Sequence, residues 1–187
     1  MNIVKKLLLF FLILTPLNIQ ADELSHGARA QRSGYIFAKQ VESIVKDYGF
    51  YIVKNAEYQK KKDTFEHDKI LVRRARFKTI YERDGYTDFL LIDKKLDEHI
   101  RIEVKWQHTG GSMDEKLPYI YLNAIDAVPE DHYILVIDGA GWKQGAIEWL
   151  KESARIKRYA TEENKHKKFE VMNQQEFVAW MAKQWQE

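Results

Sequence analysis

The sequence predicts an α/β fold in three layers, a mixed β-sheet flanked by helices, and three patterns lead there. An apolar stripe at helical spacing comes first, segments that alternate apolar and polar residues follow it, and a continuous apolar run, His132–Asp138, lies between later helical segments. Alternation of period two marks strands with one buried face, whereas an uninterrupted apolar run marks a strand buried on both. Elements of these kinds bury their apolar sides by stacking helices on a sheet.

The chain starts with a basic pair, Lys5 and Lys6, an unbroken apolar run from Leu7 to Leu14, then Pro16 and a small Ala21. A run this short does not cross a hydrocarbon core of ~30 Å, which takes roughly 20 helical residues. The pattern is that of a secretory signal peptide over residues 1–21, cleaved before Asp22. Residues 22–187 carry no repeat, low-complexity tract or linker, so one exported domain, periplasmic or secreted, is expected.

Each element has its own signal. Over 28–47, Phe37, Val41, Ile44 and Val45, with Tyr48 just beyond, form the stripe of an amphipathic helix that ends near Gly49. A short strand comes next over 49–55, and the polar stretch 56–69 reads as a loop. Residues 69–77, 87–93 and 99–107 read as extended, the last two as an antiparallel hairpin around a polar turn. After Gly110 and Gly111, Ser112 and Glu115 have the spacing of a capping box. The helix they open carries Leu117, Tyr121, Ala124, Ile125 and Val128 on one face, although Pro118 sits awkwardly for that start. The buried strand His132–Asp138 leads through Gly139 and Gly141 to a helix over 143–158. A strand over 169–172 and a second capping box, Asn173 with Glu176, open a last helix bearing Phe177, Trp180 and Met181.

Composition excludes some chemistry. The chain has no cysteine, so cysteine-ligated zinc and thiol catalysis are ruled out. Its six histidines are scattered, with no His-x-x-x-His spacing for zinc. The formal charge is +2, and Lys5 and Lys6 are the only charges before Asp22, so the mature chain is neutral. Net charge thus gives no argument for nucleic acid, but its distribution does. Between Lys54 and Arg83 ten Lys/Arg stand against five Asp/Glu, and between Lys151 and Lys168 seven stand against three. Such stretches suit phosphate contact through counterion release, with Arg73, Arg74 and Arg76 the leading candidates. The alternative is a solvated charged face.

The chemistry concentrates in the hairpin. Side chains alternate along a strand, so Arg101, Glu103, Lys105 and Gln107 share one face and Ile100, Ile102 and Val104 the other. A turn centred on Lys95-Leu96 sets Asp88 opposite Glu103, and neighbouring strands lie ~4.8 Å apart, so both carboxylates reach one cation. Two carboxylates suit Mg²⁺ (or Mn²⁺), a hard ion that keeps several waters. Lys105 adds positive charge where a phosphodiester under attack accumulates negative charge.

Asp88, a turn, then Glu103-Val104-Lys105 after an alternating strand resembles the active-site hairpin of the PD-(D/E)xK superfamily. The resemblance covers the element order from about Ala28 to Trp185. It implies a restriction-endonuclease-like core and metal-dependent phosphodiester cleavage, with DNA favoured over RNA as substrate. It further implies supporting roles for Glu42, which matches a glutamate on the preceding helix, and for Gln107. The stretch from Lys105 through Gly111, Ser112 and Lys116 is similar to the segment just after the motif in several restriction enzymes, which makes Ser112 and Lys116 candidate substrate contacts. One departure is that Thr87, not proline, precedes Asp88.

Each assignment has a plainer rival. Glu103 and Lys105 pair across an ordinary solvated sheet, Glu42 is a solvated helix residue, Gln107 bonds loop backbone, and Lys116 is a surface lysine. For the whole chain the rivals are a secreted nucleic-acid-binding or interaction protein that keeps the fold without the chemistry, and a cytosolic restriction-like enzyme whose N-terminus is not a signal peptide.

Overall fold

The computed structural model describes residues 25–185, so the expected signal peptide lies outside the described residues. Helix α1 (His26–Asp47) forms where the stripe places it, with the Ser25 hydroxyl accepting the Ala28 amide at its start. Phe37, Val41 and Val45 are buried and Ile44 and Tyr48 pack beside them. Among the described residues no helix is long and apolar enough to cross a membrane.

Strand β1 (Tyr51–Lys54) runs parallel to β2 (Lys69–Lys78). A parallel pair needs a crossover of about a dozen residues or more, usually helical. This corrects the loop expected over 56–69, which instead holds helix α2 (Asn55–Lys61) and a 3₁₀ turn, Lys62–Thr64. No residue of α2 is fully buried, so no stripe announces it. Tyr58 and Phe65 pack the crossover against the cluster of Val53, Ile70, Val72, Ala75, Leu90 and Ile92.

Strands β2, β3 (Asp84–Asp93) and β4 (Glu98–Trp106) form an antiparallel meander. The β3–β4 register runs from Phe89↔Ile102 to Asp93↔Glu98, centred on Lys95-Leu96 as the residue pattern predicts. The Asp93 carboxylate accepts the Lys95 and Leu96 amides, and Asp97 takes the left-handed conformation, φ 53°, that closes the turn.

A second correction falls after β4. Neither Ser112 nor Glu115 caps a helix: a 3₁₀ turn, Asp114–Lys116, leads into helix α3 (Leu117–Leu122) and a π turn, Asn123–Ala127. Proline is tolerated in the first helical turn, where no amide is required, so Pro118 sets the start later than the capping-box spacing suggests. From there β5 (His132–Asp138), helix α4 (Gln144–Arg155), β6 (Lys168–Met172) and helix α5 (Gln174–Trp185) complete the chain. The second capping box forms: the Asn173 amide donates to Glu176 at 2.7 Å and the Glu176 amide to Asn173 at 2.8 Å.

The six strands lie in chain order, with β4, β5 and β6 parallel. On one face α1 and α5 cover Leu71, Phe89, Leu91, Ile100, Ile102, Val104, Ile134 and Val136. On the other, α3 and α4 cover Tyr133, Leu135 and Ile137. Alternation puts Glu103 and Lys105 on this second face, and Asp88 reaches Lys105 there from the neighbouring strand.

Candidate active site

The sheet forks at the two carboxylates. Beyond Phe89, toward its start, β3 pairs only with β2, from Ala75↔Thr87 to Lys78↔Asp84. Beyond Ile102, β4 pairs only with β5, from Glu103↔Leu135 to Trp106↔Asp138. Asp88 and Glu103 sit where the arms part and take up the amides that the ladder no longer pairs. The Val104 amide donates to Asp88 Oδ2 at 2.8 Å, and the Asp88 amide donates to Glu103 Oε2 at 3.3 Å. Each carboxylate is thereby held by the backbone of the opposite strand.

Lys105 completes the group. Its Nζ donates to Glu103 Oε1 and to the Val104 carbonyl at 3.3 Å, and lies 3.9 Å from Asp88 Oδ2. Three oxygens from two strands thus converge on one positive charge. Burial, with a smaller contribution from Asp88, raises the Glu103 carboxyl to about 7 against the opposing pull of Lys105. Burial on its own disfavours the Lys105 ammonium, but the Glu103 and Asp88 carboxylates outweigh it, so Lys105 stays charged at neutral pH. Two carboxylates and one ammonium carry a formal charge of −1, which a divalent cation reverses. Asp88, Glu103 and the Val104 carbonyl are oxygen donors that fit such an ion. Among the described residues no cluster of three or more His, Cys, Asp or Glu side chains is placed to hold a metal, so water and substrate oxygens must fill its remaining positions.

Two features hold the fork open. Arg74, between the pairs Arg73↔Phe89 and Ala75↔Thr87, has φ 53°, a conformation that costs a non-glycine residue about 1 kcal/mol. It kinks β2 directly across from Asp88. Arg101, only 3% exposed, spans the base of the fork. Its Nη1 donates to the Ala75 carbonyl at 2.7 Å and to the Thr87 hydroxyl at 3.3 Å, its Nη2 to the Arg76 carbonyl at 3.1 Å, and its Nε to Glu130 at 2.5 Å.

Among the described residues, no side-chain hydrogen bond or ion pair joins the other expected site residues to this group. Glu42, on α1, faces Arg73, which donates through Nε at 2.5 Å and Nη2 at 2.7 Å, and Lys39, which donates at 2.8 Å. Among the described residues it bonds no member of the Asp88–Glu103–Lys105 group. Burial raises the Glu42 carboxyl, but the hydrogen bonds from Arg73 and Lys39 outweigh it and hold it below the usual range. Arg73 is therefore engaged by a carboxylate, whereas Arg74, Arg76, Ser112 and Lys116 are exposed. Arg74 lies 3.8 Å from the centre of the Tyr86 ring.

Gln107 is buried and donates to the Gly141 carbonyl at 2.7 Å and to Asp114 at 3.5 Å, joining the end of β4 to the β5–α4 loop. That loop passes so close that a Cβ on Gly139 would lie 2.3 Å from the Gln107 carbonyl oxygen, and Gly139 has φ 101°. Gly139→Ala is expected to destabilise the protein by more than ~1 kcal/mol, since both the space and the conformation exclude a side chain. A urea midpoint equal to that of wild type refutes this.

Sequence reasoning did not single out Arg101, Tyr86, Tyr119 or Tyr133. Arg101 was legible only as a neighbour of Glu103 on one strand face. The others come to the site from elements whose placement depends on the whole sheet. Tyr133 lies near Glu103 and Asp88, and burial first, then their negative charge, holds its hydroxyl well above its ordinary range and therefore neutral.

A family profile described as the PD-(D/E)XK nuclease superfamily domain matches residues 29–185. None of the curated proteins and none of the solved structures compared with the chain matches it. The mixed sheet between helices, with Asp88 and Glu103-Val104-Lys105 at the parting of its strands, is the restriction-endonuclease-like fold. With that match across nearly all of the described residues, the chain belongs to the PD-(D/E)XK nuclease superfamily.

Proposed function

We propose that this protein is an exported, Mg²⁺-dependent nuclease, with Mn²⁺ able to substitute, that hydrolyses phosphodiester bonds within DNA in preference to RNA. The observation that carries the reading is the convergence of Asp88, Glu103 and the Val104 carbonyl on the Lys105 ammonium at the opening of the fork. Asp88, Glu103 and the Val104 carbonyl would hold the cation. When bound, it supplies Lewis-acid polarisation of the phosphate and acidifies the attacking water.

The chain's own groups do the rest. Lys105, kept protonated by two carboxylates, is an electrostatic and hydrogen-bonding group and not a base. It stabilises the charge that builds on the non-bridging oxygens and orients the water that attacks phosphorus as the P–O bond to the leaving alkoxide breaks. Backbone bonds fix Asp88 and Glu103 before substrate arrives, so little reorganisation is needed at the moment of reaction. Glu42 and Gln107 are supporting members that set the positions of β2 and of the loops after β4. Arg74, Arg76, Ser112 and Lys116 are exposed groups available to the phosphate backbone, with Arg73 shared between Glu42 and substrate. Export rests on the N-terminal pattern, and residues 22–187 form the one functional domain. Its substrate is then DNA outside the cytoplasm.

The test is a digestion panel of linear, circular and single-stranded DNA and RNA, with Mg²⁺, with Mn²⁺ and with EDTA. Circular DNA is expected to be cut with either metal and to stay intact in EDTA. Cleavage of RNA alone overturns the DNA assignment. Binding without cleavage in either metal replaces this reading with that of a nucleic-acid-binding protein that retains the fold. Mass spectrometry of the exported protein is expected to find Asp22 at its start.

A further inference from the structure

The fork encloses a cleft of about 360 Å³ that contains Glu103 and runs between the β2–β3 arm and α3. Its size is at the lower end of the ~300–1,000 Å³ of small-ligand sites. Tyr86 and Phe77 line it from the arm, Tyr119 and Tyr133 from the other side. The tyrosines Tyr86 and Tyr119 each have a stacking neighbour outside the lining. Arg74 lies over Tyr86 at 3.8 Å, Tyr81 stacks on Tyr119 at 5.3 Å with 24° between the rings, and Arg83 lies 5.5 Å from Tyr81. The arm's tip is fastened as well, because the Ile80 amide donates to Asn123 Oδ1 at 3.0 Å.

Rings already paired in this way are open to a flat ligand on their other face, and the two guanidiniums attract the phosphates on either side of it. The one carboxylate of the arm that lines the cleft, Asp84, is neutralised by Lys78 at 2.6 Å. Asn123 has both ends of its carboxamide on backbone, the Ile80 amide and the Tyr119 carbonyl. The cleft therefore offers aromatic surface, with the guanidiniums of Arg83, in its lining, and Arg74, over Tyr86, beside it.

We propose that this cleft receives an unpaired nucleobase of the DNA strand whose phosphate lies at Asp88, Glu103 and Lys105, so that single-stranded DNA is the favoured substrate. The inference rests on the nuclease reading and names its substrate class. A base inside a duplex hides both faces in the stack and must be extruded at a cost of a few kcal/mol before it enters such a cleft. An unpaired base enters freely, and base–aromatic stacking tolerates any sequence.

The experiment titrates a single-stranded DNA oligonucleotide containing 2-aminopurine with the full chain in EDTA, so that binding is read without cleavage. Stacking is expected to quench the fluorescence, and the same strand in a duplex is expected to bind about tenfold more weakly. Tyr86→Ala and Tyr119→Leu are each expected to weaken single-strand binding about tenfold, the size of one lost aromatic stack. Tyr86→Trp, which keeps a ring, is expected to retain the quench. Tyr86 is half exposed, so Tyr86→Ala tests the cleft without a fold defect, and circular dichroism checks both variants. An unquenched probe, equal binding of the single strand and the duplex, or equal quenching by wild type and Tyr86→Ala, overturns the proposal. DNA cleavage without quenching leaves the nuclease reading standing and removes the cleft. Quenching without cleavage in Mg²⁺ or Mn²⁺ does the reverse.

Discussion

Glu103→Gln is expected to lower the rate of DNA cleavage at least ~10²-fold while leaving the metal-free protein as stable as wild type or more so. The two effects have one cause. Glu103 is buried beside Asp88, and burial is the main reason its carboxyl is raised to about 7. Without a cation, its charge is a cost to the fold that Lys105 offsets only in part. Glutamine has the same shape and one acceptor oxygen, which takes either the Asp88 amide or the Lys105 ammonium, and it leaves Asp88 and Lys105 as a balanced pair. With a cation present, the lost charge is the one that divalent binding needs most. Lys105→Ala is the informative contrast, because it strands two carboxylates without an ammonium and is expected to lose both cleavage and metal-free stability. Cleavage rates on single-stranded and plasmid DNA, with thermal melts in EDTA, separate the cases. A Glu103→Gln protein that cuts like wild type removes Glu103 from the site.

Arg101→Met is expected to produce the largest loss of stability of any single change at the fork. Removing one partner from a buried ion pair costs about 3–5 kcal/mol, because the remaining charge is left uncompensated. Here the stranded groups are Glu130 and the carbonyls of Ala75 and Arg76. For a domain of this size that corresponds to roughly a 6–20 °C drop in Tm. The carbonyls belong to the strand that kinks at Arg74, so the arm bearing Tyr86 loses its tie to β4 as well. Cleavage measured well below Tm should therefore fall along with stability. A Tm within ~2 °C of wild type, on the order of the shift from 1 kcal/mol, contradicts the account. Arg101→Lys keeps the charge but not the fork of donors, and is expected to recover only part of the loss.

Local pattern carried much of the hairpin. Alternation sorted Ile100, Ile102 and Val104 from Arg101, Glu103 and Lys105, and the polar turn centred on Lys95-Leu96 set the register that the strands adopt. The stripe from Phe37 to Tyr48 specified α1, and Asn173 with Glu176 specified the start of α5. These signals are legible because the partners lie within a turn, a strand or a tight hairpin of one another. Ser112 and Glu115 misled because the same spacing arises without a helix start when Pro118 decides where the helix can begin.

By itself, then, the amino-acid sequence determined the strand alternation, the hairpin register, the first and last helices, and the acid–acid–lysine spacing. Each of these depends on interactions between neighbours along the chain. Only the tertiary structure decided that β3 leaves β4 at Asp88, that α2 forms as a crossover, that Glu42 faces Arg73, and that Arg101 fastens the fork. Those outcomes depend on which strand is the better partner for each half of β3 and β4, and on groups 25 or more residues apart. Such contacts leave no periodic trace, because a buried charge is settled by whatever the fold brings beside it.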